Sequence, residues 1–471
     1  MAREVRPVRW QAPAQAQGAG LMAAPLELMP SARRRLWVEA AIAEVGVPIV
    51  QGATTARDWA VTLLRLAAEV EHALLVQYLY AAASVSKTIA PDGVNYRRKV
   101  LDIAIQEMGH LATVSNLLLL LGGAAAVHLQ RDIQRRASDL SAIPFTLEAV
   151  NKTSLAKFVG AERPMEIPDA LKVRVAELVA IAEQDAGVAI KRVGVIYELL
   201  RFLFSDPTEN AGTEVNFADL IPLPAQPRLT DDDLQKAVDI EPYLATRDEW
   251  EIFEDEILLF TPRTRVEALA ALSTVAAQGE GLLNEDAKSH FELFMDLVDA
   301  FDKGLVQAKA VAKSPTLGQH GPEPGTVIDH PYTRLWGEAF RLQYTLVVLS
   351  IQDAFRSPRP VDGSPGVRGG LAQDAVRRMR KVIDDVGDLL AGLPLHATGD
   401  AVAGAPYDLD PDVLDQPAPG SIPSSHLALL DQMELAYAAI EASPEFAAHP
   451  EHRNVLINLR NEDKRHRKLF A

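Results

Sequence analysis

Apolar residues spaced three or four positions apart recur along most of this chain, which is the pattern of amphipathic and buried helices. It predicts one long helix over 57–86 and a second over 96–121 that ends at Gly122-Gly123, a good C-terminal signal. The turn residues Pro91-Asp92-Gly93 separate the two. Because the connection is short, we expect the two helices to be antiparallel neighbours in a bundle.

The same reading predicts helices along the rest of the chain. They cover residues 31–45, 168–204, 231–238, 265–278, 283–306, 332–355, 371–393, 426–442 and 451–470. Residues 250–260 fit either a helix or a short apolar strand. Since strands and helices do not alternate, the pattern predicts an all-α fold.

Pro- and Gly-rich stretches suggest where the chain divides. We predict an N-terminal arm and short helix over 1–54, a helical bundle with inserted loops over 55–312 and a linker over 313–331. Residues 332–471 are then a C-terminal helical region packed on the bundle. Near the end, Glu462 and His466 are four residues apart among many charges, which favours a solvated charged face.

The amino-acid composition restricts the classes of function that this chain can have. The 471 residues are 48% hydrophobic, enough for a large core, and the formal net charge is −17. Dense basic blocks are confined to 33–35 and 464–468, so nucleic-acid binding is not expected. The chain lacks both an uninterrupted transmembrane-length apolar run and the apolar start of a secretory signal. We therefore expect a cytoplasmic protein without a membrane partner.

The chain has no cysteine. Disulfides, thiolate metal sites and cysteine nucleophiles are thereby excluded. Any metal ion must be held by carboxylate and imidazole groups, which suit iron, manganese or zinc.

The most suggestive stretch is Gln106-Glu107-Met108-Gly109-His110, inside the second long helix. Glu107 and His110 are three residues apart and share a face that is otherwise apolar. A buried carboxylate and imidazole need a partner. A metal ion in a bundle core is one such partner, and a hydrogen bond between the two side chains is the other. The spacing alone leaves both interpretations open.

Other acids and histidines could complete a site. Glu71 lies among apolar residues of the first long helix and would face Glu107 and His110. His290, with Asp286 four residues before it, is the strongest candidate for a second half-site, and Glu280 stands between two glycines. In the predicted helix 168–204, Glu183 and Glu198 compete, and Glu198 has Arg201 as an alternative salt-bridge partner.

Six segments in the same order resemble the ferritin-like family related to iminophenyl-pyruvate dimer synthase. They are Glu69–Leu79, Ile105–Leu111, Val193–Tyr197, Gln278–Gly281, Ser289–Phe294 and Val402–Leu409. The resemblance covers about residues 55–410. It implies a ferritin-like four-helix bundle, here with additional N- and C-terminal helices, and an iron site used in natural-product oxidation. It places ligand roles on Glu71, Glu107, His110, Glu280 and His290.

This chain departs from the family pattern at two positions. Val195 and Ala287 stand where the family often has acids. Glu198 and Asp286 are the nearby acids that can substitute. If they do not, the second metal position is weakened or lost, and a one-metal site becomes the expectation.

Three functions follow as expectations. The leading one is a non-haem iron oxidase or oxygenase, with one or two iron ions (manganese or zinc as alternatives), acting on a small organic substrate. The second is an imine-coupling enzyme like the named relative. The third is a degenerate bundle that binds a ligand or partner protein without turnover. A homo-oligomer or a pathway partner enzyme is compatible with each.

Overall fold

The computed structural model describes residues 6–11, 30–129, 145–206, 215–251, 257–280, 288–318, 325–362, 364–414 and 422–471. Its helices are α1 (Pro30–Val45), α2 (Ala56–Ser84), α3 (Tyr96–Gly122), α4 (Lys152–Glu162), α5 (Lys172–Ala186), α6 (Gly194–Phe204), α7 (Ala237–Ile240), α8 (Arg265–Glu280), α9 (His290–Asp302), α10 (Pro331–Arg356), α11 (Gly366–Arg378), α12 (Asp384–Leu390), α13 (Pro411–Leu414), α14 (Ile422–Ala442), α15 (Pro444–Ala448) and α16 (His452–Arg467). The predicted all-α fold is confirmed.

Two small sheets accompany the helices. β1 (Val8–Gln11) pairs antiparallel with β2 (Val47–Val50), and β3 (Pro315–Thr316) pairs parallel with β4 (Thr326–Val327). β1 and β2 lie on either side of α1 in the chain, and β3 and β4 lie between α9 and α10. The ambiguous segment 250–260 forms neither helix nor strand at 257–260, and residues 252–256 lie outside the described chain.

The two long predicted helices are confirmed as α2 and α3, which pack along each other. The Thr55 side chain caps α2 and the Asn95 side chain caps α3, each accepting a hydrogen bond from a first-turn backbone N–H. Glu71 and His110 are almost equally far from the connecting turn and contact each other, so the helices are antiparallel. Part of α3 is apolar enough to span a bilayer, but 94% of that window is buried in the protein, as in a core helix.

The prediction of one helix over 168–204 was wrong. Gly187 ends α5 in the left-handed conformation, with φ of 69°, and α6 begins only at Gly194. The break lets α6 pack against α2 and α8 independently of α5, which packs against α4. Of the helix predicted over 283–306, residues 283–287 lie outside the described chain, residues 288–289 are not helical, and the helix begins at His290 and ends at Asp302.

The C-terminal helices pack on the α2–α3 pair. Buried Arg97 of α3 forms ion pairs of 2.5 Å with Asp384 and 3.0 Å with Asp388 of α12. His72 of α2 contacts the Tyr344 hydroxyl of α10, with 2.7 Å between Nε2 and the oxygen. One hydrophobic cluster accordingly runs from Val8 to Leu459. The division at 313–331 stays a prediction.

Candidate metal centre

Five buried ionisable side chains from four helices meet inside the bundle, and we call them the bundle cluster. They are Glu71 of α2, Glu107 and His110 of α3, Glu162 of α4, and His290 of α9. Each exposes 3% of its side chain or less. Potential ligand atoms of Glu107, His110 and His290 all lie within 4.8 Å of one another.

Glu107 stands between the two histidines. Its Oε2 is 2.9 Å from His110 Nδ1 and its Oε1 is 3.0 Å from His290 Nδ1. Glu71 Oε2 is 3.5 Å from the same nitrogen of His110, and Glu162 Oε1 is 3.9 Å from that of His290. Both imidazoles therefore turn Nδ1 toward the carboxylates.

Two glutamines fix that orientation. The Nε2–H of His110 donates to Gln278 Oε1 at 2.8 Å, and the Nε2–H of His290 donates to Gln106 Oε1 at 2.9 Å. When an amide oxygen holds Nε2–H in a neutral imidazole, Nδ1 carries the lone pair. Side chains that hold the outer nitrogen of a histidine in this way are typical partners of metal-binding imidazoles.

Local backbone features place the histidines. The Ser289 side chain caps α9 in a reciprocal capping box with Glu292, so His290 is the first helical residue. In α3, Gly109 lets the loop at Leu258 approach closely, because an added Cβ would lie 2.6 Å from the Leu258 carbonyl oxygen. The Gly109 position therefore keeps the helix face beside His110 tightly covered.

Two buried tyrosines hold the outer carboxylates. Tyr78 donates its hydroxyl hydrogen to Glu162 Oε1 at 2.6 Å, and Tyr197 of α6 donates to Glu71 Oε1. Burial, followed by the charges of neighbouring carboxylates, raises the pKa of both phenols well above the ordinary value. Both phenols therefore stay protonated and act as donors.

The carboxylates of the bundle cluster have few positively charged partners and few hydrogen-bond donors. Among the described residues, no Lys or Arg forms an ion pair with Glu71 or Glu107. Glu107 Oε1 and His290 Nδ1 are buried without a hydrogen-bond partner in suitable geometry, although they are 3.0 Å apart. Two acceptors at that distance need a cation or a proton between them. The donor set, three carboxylates and two Nδ1 atoms, fits a divalent metal of the iron, manganese or zinc class.

Without metal, the cluster holds protons instead. Burial, followed by the neighbouring charge of Glu107, raises the pKa of Glu71 to about 7. Burial opposes ionisation of Glu107 too, but the contacts with His290 and His110 outweigh it and keep that pKa well below its usual range. Hydrogen bonds to Glu107 and Glu71 likewise outweigh burial and raise the pKa of His110. Metal binding must displace such protons.

A small cavity adjoins the cluster. It has a volume of about 20 Å³. Its walls are the carboxylates and His110 on one side and small or apolar residues on the other: Leu74, Val193, Gly194, Tyr197, Val275, Ala276 and Gly279. That volume takes one water-sized molecule.

Of the predicted site residues, Glu71, Glu107, His110 and His290 lie together. Glu198 pairs with Arg201 at 2.8 Å on α6, the alternative that its sequence neighbours offered, and its role as a ligand stays a prediction. Glu280 is the last residue of α8, and its side chain lies outside the described part of the chain, as do Asp286 and Ala287.

Glu162 was missed. It is the last residue of α4, in a region whose prolines obscured the helix. The signal was present in Asn151 and Ser154, which form the capping box at the start of α4. Val195, in the position where an acid was expected, is fully buried in α6.

Comparison with known proteins agrees with this architecture. A family model described as ferritin-like matches residues 64–299, which include every member of the bundle cluster. The chain belongs to the ferritin-like family.

A curated relative resembles part of this ferritin-like chain. It is the 2-imino-3-(indol-3-yl)propanoate dimerase of Chromobacterium violaceum, which is 33% identical over 131 residues. The match covers 22% of this chain and 13% of the dimerase, so the similarity concerns a short stretch of both proteins. No solved structure matches the chain.

Proposed function

We propose that this ferritin-like protein is a metal-dependent oxidase or oxygenase acting on a small organic substrate, with one or two iron ions held by the bundle cluster. The observation that carries the proposal is the contact between Glu107 Oε1 and His290 Nδ1, two buried polar atoms 3.0 Å apart without a hydrogen bond in suitable geometry. Manganese and zinc are the alternatives that the same donors accept.

The residues divide the work between holding the metal and shaping its surroundings. Glu107, His110 and His290 are the proposed inner ligands, with Glu71 and Glu162 as flanking carboxylates. Bound iron would supply the redox chemistry with dioxygen. Glu162 takes the role of the acid expected near Val195.

The surrounding side chains orient these groups and control protons. Gln106 and Gln278 keep the imidazole Nδ1 atoms directed inward, while Tyr78 and Tyr197 hold the outer carboxylates. In the metal-free protein, Glu71 has a pKa of about 7 and holds a proton that metal binding would release. Burial of the whole cluster excludes bulk water from the reacting centre.

Metal analysis tests the proposal. Protein produced in iron-supplemented medium should retain iron, and Glu107→Ala and His110→Ala should each lower the bound metal at least about tenfold. His72→Ala is the matched control, because His72 is also a buried histidine but contacts Tyr344 rather than the cluster. Equal metal content in the wild type and both cluster variants contradicts the site.

A second function, imine coupling, is favoured by the match to the dimerase. The protein would be incubated with L-tryptophan and an L-amino-acid oxidase, and the products followed by mass spectrometry. A coupled dimer that forms only when the protein is present supports this function. Absence of the dimer from metal-loaded protein removes it.

The third function, binding without turnover, makes the opposite prediction. It expects negligible tightly bound metal in the wild type and no oxygen consumption with any candidate substrate. Metal retained by the wild type and lost in the cluster variants would contradict it.

A further inference from the structure

A second group of side chains with potential metal-ligand atoms lies outside the bundle, at the start of α16. His449, Glu451 and His452 bring one potential ligand atom each within 4.8 Å of the others. Glu451 Oε1 is 3.0 Å from His449 Nδ1 and 3.8 Å from His452 Nε2. Two imidazole nitrogens and a carboxylate oxygen therefore lie within reach of one ion, and the two imidazole rings stack at 4.9 Å and 14°.

The spacing of these atoms suits a tetrahedral ion. Zinc bonds of about 2.0–2.1 Å to nitrogen and oxygen place neighbouring ligand atoms about 3.4 Å apart. The two observed distances, 3.0 and 3.8 Å, lie on either side of that value. His449 and Glu451 are the more exposed members, with 46% and 65% of their side chains accessible, so small rotations can close the triangle.

His452 is the anchored member of the group. Its Nδ1 lies 2.8 Å from the Tyr332 hydroxyl, which occupies the ring nitrogen that faces away from Glu451. The ring stacks on Tyr332 at 5.9 Å and 17° and meets the edge of Trp336 at 5.8 Å. When Nδ1–H donates to the Tyr332 oxygen, Nε2 carries the lone pair and is the ligand atom.

The charge around these side chains suits a cation. Glu445 adds negative charge beside Tyr332. The overall charge of −17 also favours cations over anions near this surface.

We propose that His449, Glu451 and His452 form a surface site for a divalent ion of the zinc class, separate from the bundle cluster. The ion takes His449 Nδ1, Glu451 Oε1 and His452 Nε2 as ligands and leaves a fourth position to water. It joins the end of α15 to the start of α16, and the Tyr332 hydrogen bond extends this link to α10. The proposed site therefore stabilises the packing of the C-terminal helices and is not a redox centre.

The test uses the full chain and Zn²⁺ as the probe, with Glu107→Gln as the background that disables the bundle cluster. Titration calorimetry on this background should show one Zn²⁺ site, and His449→Ala and His452→Ala should each weaken it at least about tenfold. His396→Ala is the matched control, because His396 is a half-exposed histidine that pairs with a single acid, Asp329. It should leave the affinity unchanged.

Cu²⁺ supplies an independent readout. Electron paramagnetic resonance of the Cu²⁺ form should show hyperfine coupling from two imidazole nitrogens, reduced to one in either histidine variant. Equal Zn²⁺ affinity in all variants, or equal weakening by His396→Ala, overturns the proposal. Because the background already lacks the bundle site, these outcomes do not depend on whether the proposed enzyme function is correct.

Discussion

Two buried polar clusters in this protein use similar residues and reach opposite electrostatic balances. The bundle cluster was defined above. We call the other the C-terminal cluster, which consists of Asp353 of α10, Asp374 and Arg378 of α11, His426 of α14, and Asp463 and His466 of α16. Both contain two histidines and several carboxylates, but only the C-terminal cluster contains an arginine.

The C-terminal cluster satisfies its charges internally. Arg378 binds Asp374 at 2.6 Å and Asp463 at 2.7 Å. A chain of hydrogen bonds then continues from Asp374 through His466, at 2.6 Å, to His426, at 2.8 Å. Arg378 Nη2 is the exception, a buried nitrogen without a partner.

The bundle cluster has no such internal cation. Its imidazole Nδ1 atoms face carboxylate oxygens, and Glu107 Oε1 has no hydrogen-bond partner. This difference indicates which cluster needs a ligand. Buried carboxylates require positive charge nearby, and where the chain does not supply that charge, a metal ion or protons must supply it. A histidine–carboxylate cluster is thus informative only together with its Lys and Arg neighbours.

The largest expected effect comes from removing the internal cation. Arg378→Met leaves Asp374 and Asp463 buried without their partner, so the free energy of unfolding should fall by about 3–5 kcal/mol. Urea denaturation measures it. Arg467→Met is the control: Arg467 pairs with Asp431 on the surface, where such a bridge contributes about 0–1 kcal/mol. Equal losses in the two variants would contradict the assignment of Arg378.

A smaller effect follows from pH. Burial outweighs the contact with Asp374 and lowers the pKa of His466 to about 4, below the ordinary value of 6.5. As the pH falls, His466 therefore binds a proton at a higher pH in the unfolded chain than in the folded protein. The contribution of neutral His466 to the free energy of unfolding is complete above pH 6.5 and is lost as the pH falls toward 4. Linkage predicts a loss of about 2 kcal/mol between pH 7 and pH 5.

Comparison with His466→Gln isolates this contribution from the many surface carboxylates. The variant is less stable at pH 7 but should show a flatter decline between pH 7 and pH 5. Denaturation curves of both proteins at several pH values give the two slopes. Parallel slopes would show that His466 does not titrate in this window.

The bundle cluster was largely predictable because its signals are local. Glu107 and His110 share a face because of their helical spacing. Because a short turn joins the long helices α2 and α3, the two helices run antiparallel and bring Glu71 opposite this face. His290 followed from its position in an apolar helix. Glu162 was not found, because its approach depends on how α4 packs against α9, a contact between distant segments.

The C-terminal cluster was not predictable for the same physical reason. The interpretation of Glu462 and His466 as a solvated face was wrong, since both are buried, with 1% and 0% exposure. Glu462 accepts a hydrogen bond of 2.9 Å from Arg377, and His466 donates to Asp374. These partners lie on α11, far away in the chain, so the charged pattern of α16 alone could not show which of its charges are neutralised inside.

The smallest effect gives the sharpest contrast between the clusters, because it predicts opposite signs for equivalent changes. In metal-free protein, burial beside Glu107 raises the pKa of Glu71 to about 7, so its ionised form opposes folding at pH 8. Glu71→Gln should therefore raise the free energy of unfolding by about 1 kcal/mol in EDTA. Tyr197 can still donate to the amide oxygen.

Asp374→Asn is the matched change in the C-terminal cluster. Although burial opposes its ionisation, contacts with His466 and Arg378 hold the Asp374 pKa well below its usual range, so removing the charge should destabilise the protein. Thermal denaturation at pH 8 with EDTA compares both variants with the wild type. Loss of stability in both would mean that the bundle carboxylates are neutralised within the chain, which would remove the electrostatic argument for a metal ion.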